Sequence, residues 1–266
     1  MPSSTVEQPS AVAPTKTYGR VRANIDLIAW DPDSTEHVEL LFQQRVACGW
    51  KSGDVEKWRG LQRAGKMAIQ WVVSSFLVSV SSHCESCILY FPTTTPTKAT
   101  KLNQHTTKYA LESTPIHDTA RTLGAKPRQP TSRTFTPVGH ISLDSESPNE
   151  DQADASKGVY CITTFYISRA IQSGGLGSAA MDKIESEAVK EPLNAKVLSL
   201  DTLANSSHSN TALWREMEME DPAFSNQDWY ERRGYKPWKF IDGHIKQMIG
   251  TKLWPLNAVF MKKTVA

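Results

Sequence analysis

The stretch FYISRAIQSGGLGSAAMDKI, residues 165–184, constrains this chain most. An aromatic and β-branched run passes through a loop holding Gly174, Gly175 and Gly177 and enters a helical pattern. On that helix Leu176, Ala180, Met181, Ile184 and Ala188 form one apolar stripe, Asp182, Glu185 and Lys190 lie off it, and Pro192 stops it. VYCITTFYIS before the loop and AKVLSLDTL after the helix read as strands, the second of them buried. A glycine turn at a helix start presents free backbone N–H groups to an anion, usually a phosphate. The spacing decides which phosphate-bearing ligand is meant.

One reading is a dinucleotide fingerprint. Gly175, Gly177 and Ala180 spell G-x-G-x-x-A, and Asp201 ends the next strand where a ribose-binding acid belongs, which would make the protein an NAD(P)-dependent oxidoreductase. SRAIQS, however, separates the strand from the first of these glycines. After Asp201 only one short helix, in NQDWYERRGY and ending at Gly234, and one clear strand, NAVFMKK, are legible. No G-x-x-x-x-G-K-[ST] can be drawn for a P-loop.

The other reading uses the intervening residues. QSGGLG satisfies [Q/R]-x-x-G-x-[G/A] with Gln172, Gly175 and Gly177, five residues beyond FYI. With WYERRGY on a later helix and TPVGHISLD as the strand before the cofactor strand, the chain resembles the GNAT superfamily of N-acetyltransferases. The resemblance implies a single α/β domain with a mixed, partly splayed β-sheet flanked by helices, and acetyl-CoA as acetyl donor. It implies that Gln172, Ser173, Gly174, Gly175, Leu176, Gly177 and Ser178 hold the pyrophosphate, and that the pantetheine arm pairs with the backbone of Phe165, Tyr166 and Ile167. The acetyl group would pass to an amine, small or protein-borne, by direct attack in a ternary complex, with Tyr230 protonating the departing thiolate. His140 and Asp144 share one face of the TPVGHISLD strand and are the candidate bases, and Asp201 borders the same cleft. Where the family carries an Asn seven residues before its tyrosine, this chain has Ala223, so Asn205 or Asn226 would have to substitute. A non-catalytic acyl-CoA-binding protein of the same fold is the alternative.

Composition narrows the setting. A formal charge of +2 over 266 residues leaves no basic footprint for nucleic acid. Cys48, Cys84, Cys87 and Cys161 are too few for a disulfide scaffold and suit a reducing cytoplasmic compartment. His83-Cys84-x-x-Cys87 is half a zinc site without the other half, so no metal is expected. The first 17 residues lack the apolar core of a secretory signal and read, to residue 18, as a disordered tail. No run approaches the roughly 18 apolar residues of a membrane span.

Residues 19–266 are expected to form the one domain. RVRANIDLIAW alternates as a strand, with Val21, Ala23, Ile25 and Leu27 on one face. Ser34 and Gly49 bracket a helix with Val38, Leu41, Phe42 and Val46 inward, and Asp54 opens a second with Val55, Trp58 and Leu61 inward. MAIQWVVSSFLVSV follows as a strand or hairpin. Residues 81–134, rich in Thr, Pro and Lys, are expected to be a long surface excursion.

Overall fold

The computed structural model describes residues 23–74, 103–147, 150–172, 174–217, 222 and 224–265. The expected tail, the second half of MAIQWVVSSFLVSV, the His83–Cys87 motif and Ser173 lie outside them.

β1 (Ile25–Ala29), α1 (Thr35–Cys48), α2 (Val55–Arg63) and β2 (Ile69–Ser74) form the first part. β3 (Gly139–Asp144), β4 (Val159–Ile167), α3 (Leu176–Ala188) and β5 (Val197–Leu203) form the second. The chain then makes α4 (Asn205–His208), α5 (Thr211–Glu216) and α6 (Asn226–Arg232), and ends in a hairpin of β6 (Lys236–Ile249) and β7 (Lys252–Thr264). One seven-stranded sheet runs in the order β1-β2-β3-β4-β5-β7-β6. Every neighbouring pair is antiparallel except β4 and β5. A single parallel pair is not the doubly wound sheet that a dinucleotide fingerprint needs.

The α3 stripe behaves as its periodicity demands. Leu176, Ala180, Met181, Ile184 and Ala188 are all buried, packing with Ile141, Leu143, Ile162 and Leu198 on one sheet face. On the opposite face α1 and α2 cover Ile69, Trp71 and Val73 with Leu40, Leu41, Val55 and Trp58. At Gly49 (φ 82°) the backbone N–H caps α1 by donating to the Arg45 and Val46 carbonyls. The inward face of α1 departs from the hydropathy pattern. His37, Gln44 and Arg45 are buried, whereas Phe42 and Val46 are 39% exposed. The reason lies in what α1 packs against.

That partner is the segment expected to be surface excursion. From residue 103 it is a helical stretch, a 3₁₀ turn (Ala110–Ser113) and two short ribbons, Ile116–His117 with Thr134–Phe135 and Thr122–Leu123 with Lys126–Pro127. Ile116 and Phe135 enter the core under α1. The buried His37 ring fastens the ribbon. Its Nδ1 accepts from Asp31 N (2.9 Å) and Trp71 Nε1 (3.1 Å), so the proton sits on Nε2, which donates to the His117 carbonyl (2.7 Å). Asp118 takes Arg128 in a two-pronged pair (2.6 and 2.8 Å). Thr- and Pro-rich composition concealed a packed element.

β6 also escaped the sequence pattern. As the edge strand it buries neither face fully, and its Lys, Asp and Gly residues mask the alternation.

Candidate functional site

The site begins where two strands part. β4 and β5 pair only through Val159–Val197, Tyr160–Leu198 and Cys161–Ser199. Beyond Cys161 the β5 side of β4 has no strand partner, although β3 continues to pair with it as far as Ile167. Backbone groups of alternate residues between Ile162 and Ile167 are thereby left without a strand partner on that side, the Ile167 carbonyl accepting instead from Gln172 Nε2.

A bulge shapes that edge. Ser142 pairs with Thr163 and His140 with Tyr166, so Thr164 and Phe165 together oppose Ile141. Thr164 has φ 51°, a left-handed conformation that a β-branched residue rarely adopts. The extra residue reverses the alternation. Cys161, Thr163 and Tyr166 face α1, while Phe165 and Ile167 face α3. Gly139 makes the arrangement possible, since a Cβ there would lie 2.1 Å from the Tyr166 carbonyl oxygen.

The glycine loop closes over the end of β4. Gln172 Nε2 donates to the Ile167 carbonyl (2.9 Å). Gly175, at φ 83°, is the N-cap of α3, and a Cβ added to it would meet nothing within 4 Å. This glycine is required by its backbone angle and borders open space. Gly177 is different. Its Cβ would touch Phe165, Ile167 and Trp229 at 3.7–4.0 Å, so it faces an aromatic wall and not the open side of the loop. The Leu176 side chain is in the core, leaving its backbone N–H as the group available to a ligand. Gly174 is exposed and Ser178 half-buried at the helix start.

Tyr230 enters from α6, on the α3 face. It is 8% exposed and packs edge-on against Trp229 and Tyr235. Its hydroxyl makes no hydrogen bond among the described residues. Burial pushes the phenol well up, and the charges of Asp201 and Glu185 add to this while Arg233 opposes it. The hydroxyl is therefore protonated at neutral pH.

The opposite face carries carboxylates. Asp144 pairs with Cys161, Cys161 with Ser199, and Asp201 lies two residues further along β5, which sets all four on one face where the strands separate. Asp144 accepts from Ser142 Oγ (2.5 Å) and Thr163 Oγ1 (2.8 Å). Burial raises its carboxyl to about 7, with Asp201 adding to the rise and Ser142, Thr163 and Lys51 opposing it. Asp201 accepts from Gln152 Nε2 (2.9 Å), a β3–β4 loop residue that its polar surroundings did not distinguish in the sequence.

His140 shares that strand face but not its situation. It is fully buried between the Trp71 and Tyr166 rings, and Nδ1 donates to Gln44 Oε1 (2.7 Å). Burial and the neighbouring Arg45 charge hold it well below the usual histidine range. The ring has no exposed surface, so of the two candidate bases on this strand Asp144 is the one that lies nearer the gap. Of the two candidate asparagines, Asn205 opens α4 just past β5 and donates through Nδ2 to Asp228 Oδ1 (2.8 Å), leaving its buried Oδ1 without a partner among the described residues. Asn226 is the first residue of α6.

Among the described residues no group of three His, Cys, Asp or Glu side chains is arranged to hold a metal, and no helix is long and apolar enough to cross a membrane. An open recess of about 330 Å³ lined by Asp26, Asp118, Arg128, Arg133, Lys183 and Glu187 lies at the β1 edge, away from the gap.

Residues 103–219 match the acetyltransferase (GNAT) family. Similar solved structures include Arabidopsis thaliana NAA60 in complex with acetyl-CoA, at 12% identity and TM-score 0.45, covering 91% of this chain and 98% of that one. An aminoglycoside 6'-N-acetyltransferase complexed with coenzyme A matches at 9% identity and TM-score 0.44, covering 91% and 97%. An N-acetyltransferase from Staphylococcus aureus Mu50 matches at 8% identity and TM-score 0.45, covering 92% and 100%. No curated protein matches the sequence.

Proposed function

Because residues 103–219 match the acetyltransferase (GNAT) family, we propose that the protein transfers an acetyl group from acetyl-CoA to an amine by direct attack in a ternary complex. The observation that carries the proposal is the unpaired β4 edge, which runs from the Cys161–Ser199 divergence into the glycine loop at the start of α3. A pantetheine arm adds to such an edge as an extra strand, and its amides satisfy Phe165, Tyr166 and Ile167. The pyrophosphate then meets the backbone of Gln172–Ser178 at the positive end of α3. Asn205 Oδ1, buried and without a partner among the described residues, supplies a further acceptor toward the cofactor amides.

Asp144 and Tyr230 divide the proton work. A carboxyl titrating at about 7 accepts a proton from the incoming ammonium near neutral pH. The neutral amine attacks the thioester carbonyl, the C–S bond breaks as the C–N bond forms, and the electron pair leaves on sulfur. Tyr230 donates its hydroxyl proton to that sulfur, and the second proton of the amine, shed by the nitrogen as the amide forms, passes through water and restores the phenol. A thiol has an ordinary pKa of ~8.5, so burial makes Tyr230 a weaker acid than the thiol it protonates, and desolvation of the departing thiolate offsets part of that gap. Asp201 lies on the same face as Asp144 and favours a cationic acceptor.

Calorimetric titration with acetyl-CoA and NAD, followed by CoA release over a panel of amines, tests the reading. Binding of acetyl-CoA with turnover of at least one amine is expected. Tight binding without turnover on small amines or peptides would leave an acyl-CoA-binding protein, and preference for NAD would overturn the assignment.

A further inference from the structure

We propose that Glu112 is a positioning residue for the cofactor: its buried carboxylate ties the 103–113 segment to the end of β4 and sets the turn by which that strand enters the glycine loop. The inference rests on reading that loop as an acetyl-CoA site.

Glu112 is 3% exposed and receives three side-chain donors. Ser168 Oγ (2.5 Å) and His105 Nε2 (2.6 Å) donate to Oε1, and the Tyr166 hydroxyl (2.8 Å) donates to Oε2. Burial acts to raise the carboxyl, but the bonds from His105, Ser168 and Tyr166 outweigh it and hold the group below its ordinary value. The Glu112 backbone carbonyl accepts from Gln44 Nε2 (3.1 Å) on α1. Gln44 Oε1 in turn holds His140.

The donors are placed to matter. Tyr166 and Ser168 flank Ile167, whose backbone belongs to the unpaired edge. With both side chains fixed to one carboxylate, the Ile167 peptide units are held toward the gap. Ser168 is also where the ladder ends. Its N–H donates to the Val138 carbonyl (2.9 Å), and its own carbonyl receives Ile171 N (3.0 Å) in the first turn of the loop. Arg169, next in sequence, donates to the Cys48 carbonyl (2.5 Å). A buried ionised group is a poor device for stability alone, because apolar packing of equal volume commonly does as well. A fully satisfied polar network does fix one geometry, and a ligand held by backbone amides depends on geometry.

Linkage makes the effect reciprocal: if docking of 103–113 favours acetyl-CoA, acetyl-CoA favours that docking equally. The experiment combines acetyl-CoA calorimetry with hydrogen exchange over residues 103–113 in the full chain, using Glu112→Gln and the gentler Ser168→Ala. Glu112→Gln keeps the size and one acceptor while removing the charge. Both variants should bind acetyl-CoA about tenfold more weakly or worse, the scale of one charge-assisted hydrogen bond. The KM for the amine should stay close to wild type, while Glu112→Gln, which leaves buried donors short of an acceptor, should also melt at a lower temperature. Acetyl-CoA should slow exchange across 103–113 in the wild type and do so less in Glu112→Gln. Unchanged affinity in a folded Glu112→Gln, or exchange at 103–113 indifferent to acetyl-CoA, would overturn the proposal. If Glu112→Gln does not fold, unchanged affinity in Ser168→Ala does the same. A wild type that fails to bind acetyl-CoA overturns the acetyltransferase reading instead, and this inference with it.

Discussion

Asp144→Asn keeps the side chain's size and one carbonyl acceptor for Ser142 or Thr163, but removes the group that takes the proton. In the wild type a carboxyl titrating at about 7 is roughly a tenth ionised at pH 6 and roughly nine-tenths ionised at pH 8, so kcat/KM should climb about tenfold over that interval and level off above it. The variant should lose about 10²–10⁴-fold in kcat/KM at pH 8, the usual worth of a positioned base. Its profile should no longer bend near 7. An amine's own ionisation also produces a rising limb, so the comparison between the two proteins carries the test. Stability should move the other way. The Asp144 pKa is raised on folding, so its contribution is fully present below the unfolded value and is lost as pH rises through about 7. A three-unit rise corresponds to at most roughly 4 kcal/mol, less where water reaches the group. Asp144→Asn should therefore raise the melting temperature at pH 8 and change it little at pH 4. CoA release in a thiol-coupled assay from pH 6 to 9, with thermal melts at both pH values, provides the measurements. A variant that keeps both the limb and the rate would refute Asp144 as the base, and a variant destabilised at pH 8 would refute the account of its burial.

Tyr230→Phe retains the ring packing against Trp229 and Tyr235 and should leave acetyl-CoA affinity intact while lowering kcat by at least about tenfold; equal turnover under chemistry-limited conditions would return Tyr230 to packing alone. Gly175→Val must adopt a φ of 83° and occupies open space at the α3 N-terminus, so calorimetry should show at least about tenfold weaker acetyl-CoA binding; Gly177→Ala, facing Phe165 and Trp229 at contact distance, should fold and bind far better than Gly175→Val. Gly139→Ala puts a Cβ 2.1 Å from the Tyr166 carbonyl, and denaturant melts should show a loss of about 2 kcal/mol or more as β3 is forced from β4.

What the sequence determined by itself was local. The α3 stripe from Leu176 to Ala188, the glycine loop's grammar, the cap at Gly49 and the helix around Tyr230 each arise from residues a few positions apart, where periodicity and backbone freedom act directly. Tertiary structure decided what depends on partners distant in the chain. The divergence of β4 from β5 is a matter of pairing, and no composition announces it. The bulge at Thr164 turns Tyr166 toward α1 and Phe165 toward α3, reversing an alternation that the sequence presents as regular. His140 and Asp144 sit at equivalent positions on one strand face, yet one is sealed between Trp71 and Tyr166 while the other lies beside the gap with a carboxyl raised to about 7. Glu112 was invisible for the same reason. Lying in a Thr- and Pro-rich region, it gains its role from Ser168 and Tyr166, more than fifty residues away, because burial and hydrogen bonding belong to the folded neighbourhood and not to the residue.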